Sequence, residues 1–410
     1  MGVDFSLTNF FENIIDFTSG CTEPAAIAYN SSIAGDYLQK DASNIKIKID
    51  NLTYKNAFRV KIPNSDGKKG TKWAFLFGFL ISEPSLKLEI FNLLDEKKIE
   101  KAKKLKDKIE IEIENIDKPH LYIETVAKNK KKKIRVITKT DHTNTAVFLN
   151  GEIDKDFDRK IEDNGKNIPE KWFDYRNWES MINKVYSNKK LLEKFKKGAE
   201  FNLNAAKEGK KYIHNTDDYG VSGAVYSRMN GDSIPVMSCA KSGNKGLTSI
   251  IPVIKKGEKL NVSEEKKIKA GILSYMVSGL FSAKFGNISS ICGCIYAAGC
   301  GIIAGSLYLE DRINLFFDCY KNYMASVAGI FCDGAKGGCA MKTSNTVLFA
   351  DKAIEYVEKN FIISPEDGYL GKNLIETIKN LKSYNKYFKL FDKNTIEILE
   401  KKKKKVDKCK

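Results

Sequence analysis

A run of 22 residues without a charged side chain, 288–309, constrains the fold of this 410-residue chain more than any other feature. As a helix, the run would be long enough to cross a membrane. However, it contains three cysteines, four glycines and three serines, and its neighbours 270–283 and 324–331 are also apolar. Apolar helices that pack together can bury such a run in a protein core. We therefore predict a buried core helix rather than a membrane span.

Two cysteines, Cys332 and Cys339, stand seven positions apart in a segment, 329–342, that contains four glycines. This glycine content is typical of a loop and unfavourable inside a helix. Cys292 and Cys294 stand near the start of the uncharged run. Zinc sites usually contain cysteine pairs with two intervening residues, and no pair in the sequence has that spacing. Thiolates that approach from a helix start and a loop are suited instead to an iron–sulfur cluster.

A [4Fe–4S] cluster held by three cysteines has one iron without a protein ligand. Such an iron is a Lewis acid that can bind the leaving group of a substrate. A fully ligated cluster would indicate electron transfer, but the sequence lacks the closely spaced cysteines of bacterial ferredoxins. The pattern therefore favours an enzyme that acts on a small molecule.

The chain carries a net charge of +17, which comes mostly from lysine, including the run 401–405. Solvated helix faces explain this excess better than a nucleic-acid surface, because the basic runs contain few arginines and no interleaved aromatic residues. We therefore expect no nucleic-acid partner. A metal-bearing nucleic-acid-binding protein is the alternative from another functional class, and it would bind DNA or RNA in a salt-dependent way.

The start of the chain does not resemble a signal peptide, because Asp4 and Glu12 fall where its basic and apolar regions would lie. The nine cysteines are an odd number, which argues against a disulfide framework. We therefore expect a cytoplasmic protein whose cysteines are ligands or nucleophiles. We also expect no membrane partner, and the glycine-rich buried helices indicate a homo-oligomer.

The chain as a whole predicts an α+β fold, in which an N-terminal mixed α/β-sheet domain precedes a largely helical domain that carries the cysteine cluster site. Alternation of apolar and polar residues predicts strands at 45–49, 58–62, 109–113, 121–127, 134–138 and 146–149. Helical periodicity and apolar runs predict helices at 25–38, 85–106, 181–208, 219–229, 266–283, 288–309, 314–328, 346–359 and 374–381.

Four segments are expected from these patterns. They are an N-terminal helical segment, 1–40, that carries Cys21 and packs on the helical domain; an α+β domain, 41–165; a helical catalytic domain, 166–390; and a basic tail, 391–410, that is disordered from residue 401.

Cys21 directly precedes a predicted helix, with Thr22 as the expected N-cap and Pro24 in the first turn. Backbone N–H groups and the dipole at a helix N-terminus stabilise a thiolate. We therefore expect a lowered pKa for the Cys21 thiol. The alternative is a small buried side chain in a turn.

Two polar segments are candidates for binding the charged groups of a substrate. The segment 141–144 lies at a strand junction, where an Asx turn is the alternative. The segment 242–248 has two glycines that form either a tight turn or a backbone nest for an anion, and its glycine spacing differs from that of a P-loop. The candidate residues are His142 and Asn144 in the first segment and Ser242, Gly243 and Asn244 in the second.

The chain resembles the L-cysteine desulfidase family, which is related to the iron–sulfur L-serine dehydratases, over roughly residues 5–360. The most specific similarity lies in 18–24 and 329–342, and further similarity lies in 235–238, 242–246 and 291–305 (ICGCIYAAGCGIIAG). The resemblance implies an oxygen-sensitive [4Fe–4S] enzyme. Such an enzyme cleaves L-cysteine into hydrogen sulfide and 2-aminoacrylate, which hydrolyses to pyruvate and ammonia.

By position, the resemblance implies that Cys292, Cys332 and Cys339 hold one cluster per subunit, with one iron free of protein ligands. It also implies that Cys21 accepts the α-proton of the substrate, and Cys294 is the alternative to Cys292 as a ligand. The substrate-binding residues would be Ser242, Gly243, Asn244, His142 and Asn144. Two features depart from the family pattern: Lys245 stands where a glutamine is common, and 239–241 contains less glycine and serine.

Two further alternatives concern the substrate and the end of the chain. An L-serine dehydratase would use the same [4Fe–4S] site. Assays of sulfide release from cysteine and of pyruvate formation from serine distinguish the two activities. Cys409 lies one residue from the end of the chain, where it either folds back onto the free iron or belongs to a disordered tail.

Overall fold

The structure is a computed structural model that describes residues 6–118, 121–155, 168–286 and 289–408. The strands in these ranges are β1 (Ile15–Ser19), β2 (Asn44–Asp50), β3 (Glu110–Ile116), β4 (Tyr122–Lys128), β5 (Lys133–Lys139), β6 (Thr145–Leu149), β7 (Glu152–Lys155) and β8 (Pro235–Cys239). The helices are α1 (Leu7–Ile14), α2 (Thr22–Tyr37), α3 (Asn51–Ala57), α4 (Thr71–Ile81), α5 (Glu96–Lys108), α6 (Trp178–Tyr186), α7 (Lys189–Gly209), α8 (Val221–Met229), α9 (Gly243–Lys259), α10 (Glu264–Phe285), α11 (Gly293–Leu309), α12 (Phe316–Val327), α13 (Cys339–Glu358), α14 (Leu374–Ser383) and α15 (Asn385–Lys408). The predicted α+β fold is confirmed.

Six strands form one mixed sheet in the order β3-β2-β4-β5-β6-β7. β2 and β3 are parallel, and the other neighbouring pairs are antiparallel. Parallel neighbours require a long crossover connection, and α3, α4 and α5 lie in the connection between β2 and β3. The strand predicted at 58–62 is wrong, because this segment forms only an isolated bridge between Lys61 and Lys69 before Pro63, which cannot donate to a ladder.

Helix α2 belongs to the hydrophobic core of the sheet domain, where it packs against α4 and the inner face of the sheet. The amide of Asn30 donates hydrogen bonds to two strand carbonyls and, at 2.9 Å, to Thr138 Oγ1. A Cβ atom at Gly78 of α4 would lie 2.0 Å from the carbonyl oxygen of Ala28. Glycine therefore permits the close approach of α2 and α4.

The described part of the N-terminal segment is divided between two cores: α1 and β1 belong to the core of the helical domain, and α2 to the core of the sheet domain. β1 pairs antiparallel with β8 of the helical domain. α2 instead enters the sheet domain, because its residues 22–35 are all buried and it has no polar face to expose. Cys21 lies at the point where the chain passes from one core to the other.

The uncharged run forms α11, which packs against α9, α10, α12 and α13 in the helical domain. Residues 295–307 of α11 are all buried. A Cβ atom at Gly301 would lie 2.4 Å from the carbonyl oxygen of Ser274 on α10, so glycine is required for this close packing. None of the helices in the described ranges is long and apolar enough to cross a membrane. The predicted core helix is confirmed, although it begins at Gly293.

Two other helix predictions need correction. The predicted helix 181–208 consists of α6 and α7, because the side chain of Asn188 accepts a hydrogen bond from the N–H of Leu191 and caps a second helix. The predicted helix 85–106 consists of a 3-10 segment, Pro84–Leu93, followed by α5.

The C-terminal tail is helical up to Lys408, so the disorder predicted for residues 401–408 is wrong. α15 packs on α3, and its buried Asp392 pairs with the fully buried Lys55 of α3 at 2.5 Å. This ion pair fixes the first half of α15 on the protein, while the lysines at 401–404 are exposed. Cys409 and its expected role lie outside the described residues.

Candidate active site

The two cysteine-bearing segments lie side by side because their backbones form an antiparallel bridge between Ile291 and Phe331. Next to this bridge, the N–H of Cys332 donates to the carbonyl oxygen of Ser290 at 2.7 Å. The N–H of Cys292 donates to the carbonyl oxygen of Ile330 at 2.9 Å. Residues that are forty positions apart in the sequence are thus neighbours in the structure.

Cys339 joins this pair as the first residue of α13. Burial, followed by the proximity of Cys292 and Cys332, raises the pKa of the Cys339 thiol to about 12. Burial and the proximity of Cys292 likewise raise the pKa of Cys332. Thiols influence one another in this way only when they are close together in a poorly solvated volume. Cys292, Cys332 and Cys339 are therefore close enough to interact electrostatically.

Cys294 lies beside Cys292, and a hydrogen bond between the two thiols contributes more than burial to the raised pKa of Cys292. The side chains of Lys245 and Arg228 are close enough to interact electrostatically with the Cys294 thiol. Both Cys292 and Cys294 thus remain candidates for the same ligand position.

The three thiols are soft donors of the type that bind the irons of iron–sulfur clusters. Among the described residues, no group of three or more His, Cys, Asp or Glu side chains could hold one metal ion. Cluster ligands need not converge on one ion, because each thiolate binds a different iron. Two of the thiols make only long contacts, from Cys332 Sγ to Asn56 Oδ1 at 3.9 Å and from Cys339 Sγ to the carbonyl oxygen of Gly334 at 3.7 Å. The soft sulfur donors and their weak protein contacts are suited to cluster ligation.

Cys21 is connected to this group through a chain of side-chain contacts. The thiol of Cys21 donates to Glu23 Oε2 at 3.1 Å, and Asn56 Nδ2 donates to Glu23 Oε1 at 2.9 Å. The amide oxygen of Asn56 is the one that contacts Cys332 Sγ. Thr22 also donates to Glu23 Oε2, at 3.0 Å. The carboxylate of Glu23 therefore lies between the predicted base and the predicted cluster ligands.

The expectation of a lowered pKa for Cys21 is wrong. Burial and the nearby carboxylate of Glu23 raise the pKa of the Cys21 thiol well above its usual value, although the charge of Arg228 opposes them. α2 begins at Thr22, so Cys21 rather than Thr22 occupies the N-cap position, and its side chain makes no capping hydrogen bond. Burial alone would raise the pKa of Glu23, but His142 and the hydrogen bonds from Cys21 and Asn56 lower it. Glu23 is therefore ionised at neutral pH.

His142 and Asn144 lie beside this network on the loop between β5 and β6. His142 is buried, and both its ring nitrogens lack a hydrogen-bond partner among the described residues. Burial lowers its pKa, although Glu23 and Asp141 act in the opposite direction. The amide of Asn144 donates to Thr140 Oγ1 at 3.3 Å, and its oxygen has no partner in the described part of the chain. Both residues therefore have polar atoms free to contact a substrate.

The same loop also has the turn geometry that was the alternative. Asp141 Oδ1 accepts a hydrogen bond from the N–H of Thr143 at 3.1 Å, as in an Asx turn. Asp141 Oδ2 pairs with Lys241 Nζ at 3.1 Å, and Lys241 also pairs with Asp16 of β1. Lys241 thereby connects the loop of the sheet domain to the helical domain.

The glycine-rich segment 242–248 is the start of α9, a helix that the sequence did not predict. Ser242 caps the helix by accepting a hydrogen bond from the N–H of Lys245 at 3.3 Å. A Cβ atom at Gly243 would lie 2.4 Å from Arg228 Nη2, so this glycine makes room for the guanidinium. Arg228 donates to Asn244 Oδ1, and thus the side-chain oxygen of Asn244 is already occupied by the protein.

Five residues of the site were not identified from the sequence. Glu23 could have been found from its position, two residues after Cys21 in a segment that matches the family pattern. Asn56 and Arg228 carry no local signal, because only the tertiary fold brings them to the site. The remaining two, Lys241 and Lys245, are difficult to distinguish from the many surface lysines.

Comparison with known proteins identifies the family of this chain. The family model for the serine dehydratase alpha chain matches residues 85–388. A UPF0597 protein of Elusimicrobium minutum is 31% identical over 92% of this chain and 94% of its own length. UPF0597 proteins of Clostridium tetani and Nautilia profundicola are also 31% identical, over 92% and 93% of this chain and 93% and 96% of theirs. The chain therefore belongs to the serine dehydratase alpha-chain family, as the predicted relationship to L-serine dehydratases requires.

Proposed function

We propose that this protein is an iron–sulfur-dependent lyase that cleaves L-cysteine by β-elimination to hydrogen sulfide and 2-aminoacrylate, which hydrolyses to pyruvate and ammonia. Membership in the serine dehydratase alpha-chain family supports a lyase that acts on a small molecule. The observation that carries the proposal is the contact chain from the Cys21 thiol through Glu23 and Asn56 to Cys332. This chain connects a candidate base to the candidate cluster ligands.

In this proposal, Cys292, Cys332 and Cys339 hold one [4Fe–4S] cluster per subunit, with one iron free of protein ligands. When bound, the cluster supplies a Lewis-acidic iron that stabilises the negative charge on the sulfur of the leaving group. The proximity of the three thiols and the lysines near them support this assignment. Lys55 Nζ donates to the carbonyl oxygen of Cys332 at 2.5 Å, which fixes the backbone at that ligand.

The base in this proposal is the thiolate of Cys21, which takes the α-proton of the substrate and becomes a thiol. In the thiol form, Cys21 donates to Glu23 Oε2 at 3.1 Å, which fixes the position of the sulfur. A thiolate whose conjugate acid has a high pKa is a strong base, which suits the weakly acidic proton on an α-carbon. The electrons of the broken C–H bond form the C=C bond of 2-aminoacrylate, and those of the C–S bond leave with sulfur.

L-Serine is the second candidate substrate, because the matching family model is that of serine dehydratases. Its elimination would use the same base, with hydroxide rather than sulfide as the leaving group. A sulfur leaving group matches a soft iron better than hydroxide does, which favours L-cysteine.

The test begins with anaerobic purification and a count of iron and acid-labile sulfide per chain. Two activity assays follow, one for sulfide released from L-cysteine and one for pyruvate formed from L-serine. We expect a higher kcat/KM with L-cysteine. Cys21→Ala should retain the visible absorption of the cluster and lose turnover. The matched control is Cys319→Ala, which removes a buried thiol of α12 and should retain activity. Turnover by protein exhaustively freed of iron would refute the proposal.

A further inference from the structure

Helix α15 carries apolar side chains on two of its faces. Its inner face packs on α3 and contains the buried side chains of Asp392 and Ile396. Its outer face contains Tyr387, Phe391 and Ile398, which are between 44% and 55% exposed. A helix that packs on the protein with one face usually carries polar residues on the other. The outer face of α15 therefore indicates a further contact.

The outer face has the spacing of a seam between two paired helices. Phe391 comes four positions after Tyr387, and Ile398 comes seven positions after Phe391, with the exposed Asn394 between them. Apolar residues that alternate at intervals of three and four pack into the matching holes of a second helix. One asparagine in such a seam fixes the register and the number of helices at a cost in stability. Because an amide is unfavourable against lipid tails, the pattern favours a partner helix over a membrane surface.

Two neighbouring side chains extend the outer face to the size of a dimer interface. Leu390 is 66% exposed, and the ring of Phe331, which is 41% exposed, lies 5.9 Å from that of Phe391. At about 200 Å² for each large apolar side chain, these two and the three apolar residues of the seam expose roughly 500 Å². This area is within the range of the largest apolar patches of monomeric proteins. Two copies would bury about 1,000 Å², the area at which specific interfaces begin.

The charge at the end of α15 favours an antiparallel arrangement of the two helices. Residues 401–404 are four exposed lysines that follow the outer face. Parallel helices would place two such runs side by side, where like charges repel each other. Antiparallel helices place the runs at opposite ends. A twofold axis brings the same surface of both copies together, so one patch is sufficient for a closed dimer.

We propose that α15 pairs with α15 of a second copy of this chain, through the outer face, in an antiparallel twofold dimer. The inference goes beyond the proposed function and does not depend on it, because it rests on the surface of α15. In this dimer the second copy also covers Phe331, the residue before Cys332. Pairing therefore shields from solvent the loop that carries one of the proposed cluster ligands.

Sedimentation velocity of the anaerobically purified protein tests the pairing. At micromolar protein concentration we expect a species of twice the chain mass of 46.2 kDa. Leu390→Glu and Ile398→Glu should each raise the dissociation constant of the dimer by at least about thirtyfold, because the twofold axis buries each new charge twice. Both side chains are exposed in the single chain, so these variants should fold. The control is Leu260→Glu, which changes a side chain that is 45% exposed at the end of α9.

Two further variants test the seam and its direction. Asn394→Leu should tighten the dimer, because it replaces the polar residue of the seam. Glutamine in place of all four lysines at 401–404 should leave the dissociation constant nearly unchanged. A large tightening there would show that the two runs lie side by side and would overturn the antiparallel arrangement.

Three results would overturn the pairing itself. The wild type could sediment at the mass of one chain, or Leu390→Glu and Ile398→Glu could dimerise as tightly as Leu260→Glu. The third result is a single chain that binds vesicles of phosphatidylserine and phosphatidylcholine through the outer face, which would assign that face to a membrane surface.

Discussion

The ion pair between Lys55 and Asp392 provides a quantitative test of how the C-terminal helix supports the site. The side chains of Lys55 and Asp392 are 0% and 6% exposed, and their charged atoms lie 2.5 Å apart. Lys55 also donates to the carbonyl oxygen of Cys332, and Ser290 donates to Asp392. One buried pair thus connects α3 and α15 to both cysteine-bearing segments.

Asp392→Asn would remove the negative charge and leave the Lys55 ammonium buried beside a backbone carbonyl. Loss of one partner of a buried ion pair costs about 3–5 kcal/mol, because the remaining charge is no longer compensated. Each 1.4 kcal/mol is a factor of ten in an equilibrium constant, so 3 kcal/mol corresponds to about a hundredfold larger population in which α15 is detached. Lys55→Met combined with Asp392→Leu should cost much less, because it removes both charges.

Amide hydrogen exchange of α15 measures this detachment directly, because the local opening equilibrium sets the exchange rate. Exchange in the first half of α15 should accelerate by about a hundredfold in Asp392→Asn. The control is Lys393→Gln. Lys393 follows Asp392 in α15, is about half exposed and contacts Asp117 at 3.4 Å, so its loss should cost little. Amide exchange of α15 in Lys393→Gln should match the wild type. The reasoning fails if Asp392→Asn also exchanges at the wild-type rate, or if the double variant exchanges faster than Asp392→Asn.

Three other predictions concern the base, the ligands and acid stability. Glu23→Gln should lower kcat with L-cysteine by at least about tenfold without changing the visible absorption of the cluster, because a neutral amide holds the Cys21 thiol less firmly than a carboxylate does. Cys292→Ser should lose iron and acid-labile sulfide, whereas Cys294→Ser should retain both. Burial alone would raise the pKa of Asp141, but the charge of Lys241 lowers it to about 2, below an unfolded value near 3.9. Its stabilising contribution should therefore be complete above about pH 4 and disappear as the pH falls through 2, and Asp141→Asn should remove this dependence from acid unfolding curves.

The buried helix after Cys292 could be predicted, and the loop that carries Cys332 could be predicted too, because the evidence for each is local. Glycine-rich sequence around cysteines indicates a loop that presents thiols, and an uncharged run indicates a buried helix. The sheet was predictable for a similar reason, since strand alternation in β2 and β3 depends on neighbouring residues alone. These parts of the protein are determined by short stretches of sequence.

The pKa of Cys21 could not be predicted in the same way. The position before α2 suggested a stabilised thiolate, which is a local effect that weakens beyond one helical turn. Burial against the sheet domain and the carboxylate of Glu23 oppose that effect, and burial depends on the whole fold. The start of α9 was missed for a related reason, because Gly243 accommodates Arg228 rather than a turn. Both errors arose where tertiary contacts outweigh local preference.

The site lies where the two cores of the protein meet, and this position explains why its residues are dispersed in the sequence. Glu23, Asn56 and His142 come from the sheet domain, whereas the proposed cysteine ligands and Lys245 come from the helical domain. The contact from Asn56 to Cys332, at 3.9 Å, crosses between them. A rotation of one core against the other would therefore change the distance from Glu23 and Asn56 to Cys21 and Cys332 while leaving each set of residues intact. In the proposed mechanism, catalysis depends on how firmly the two cores are joined, so we expect substitutions at Lys241 and Lys55 to lower turnover.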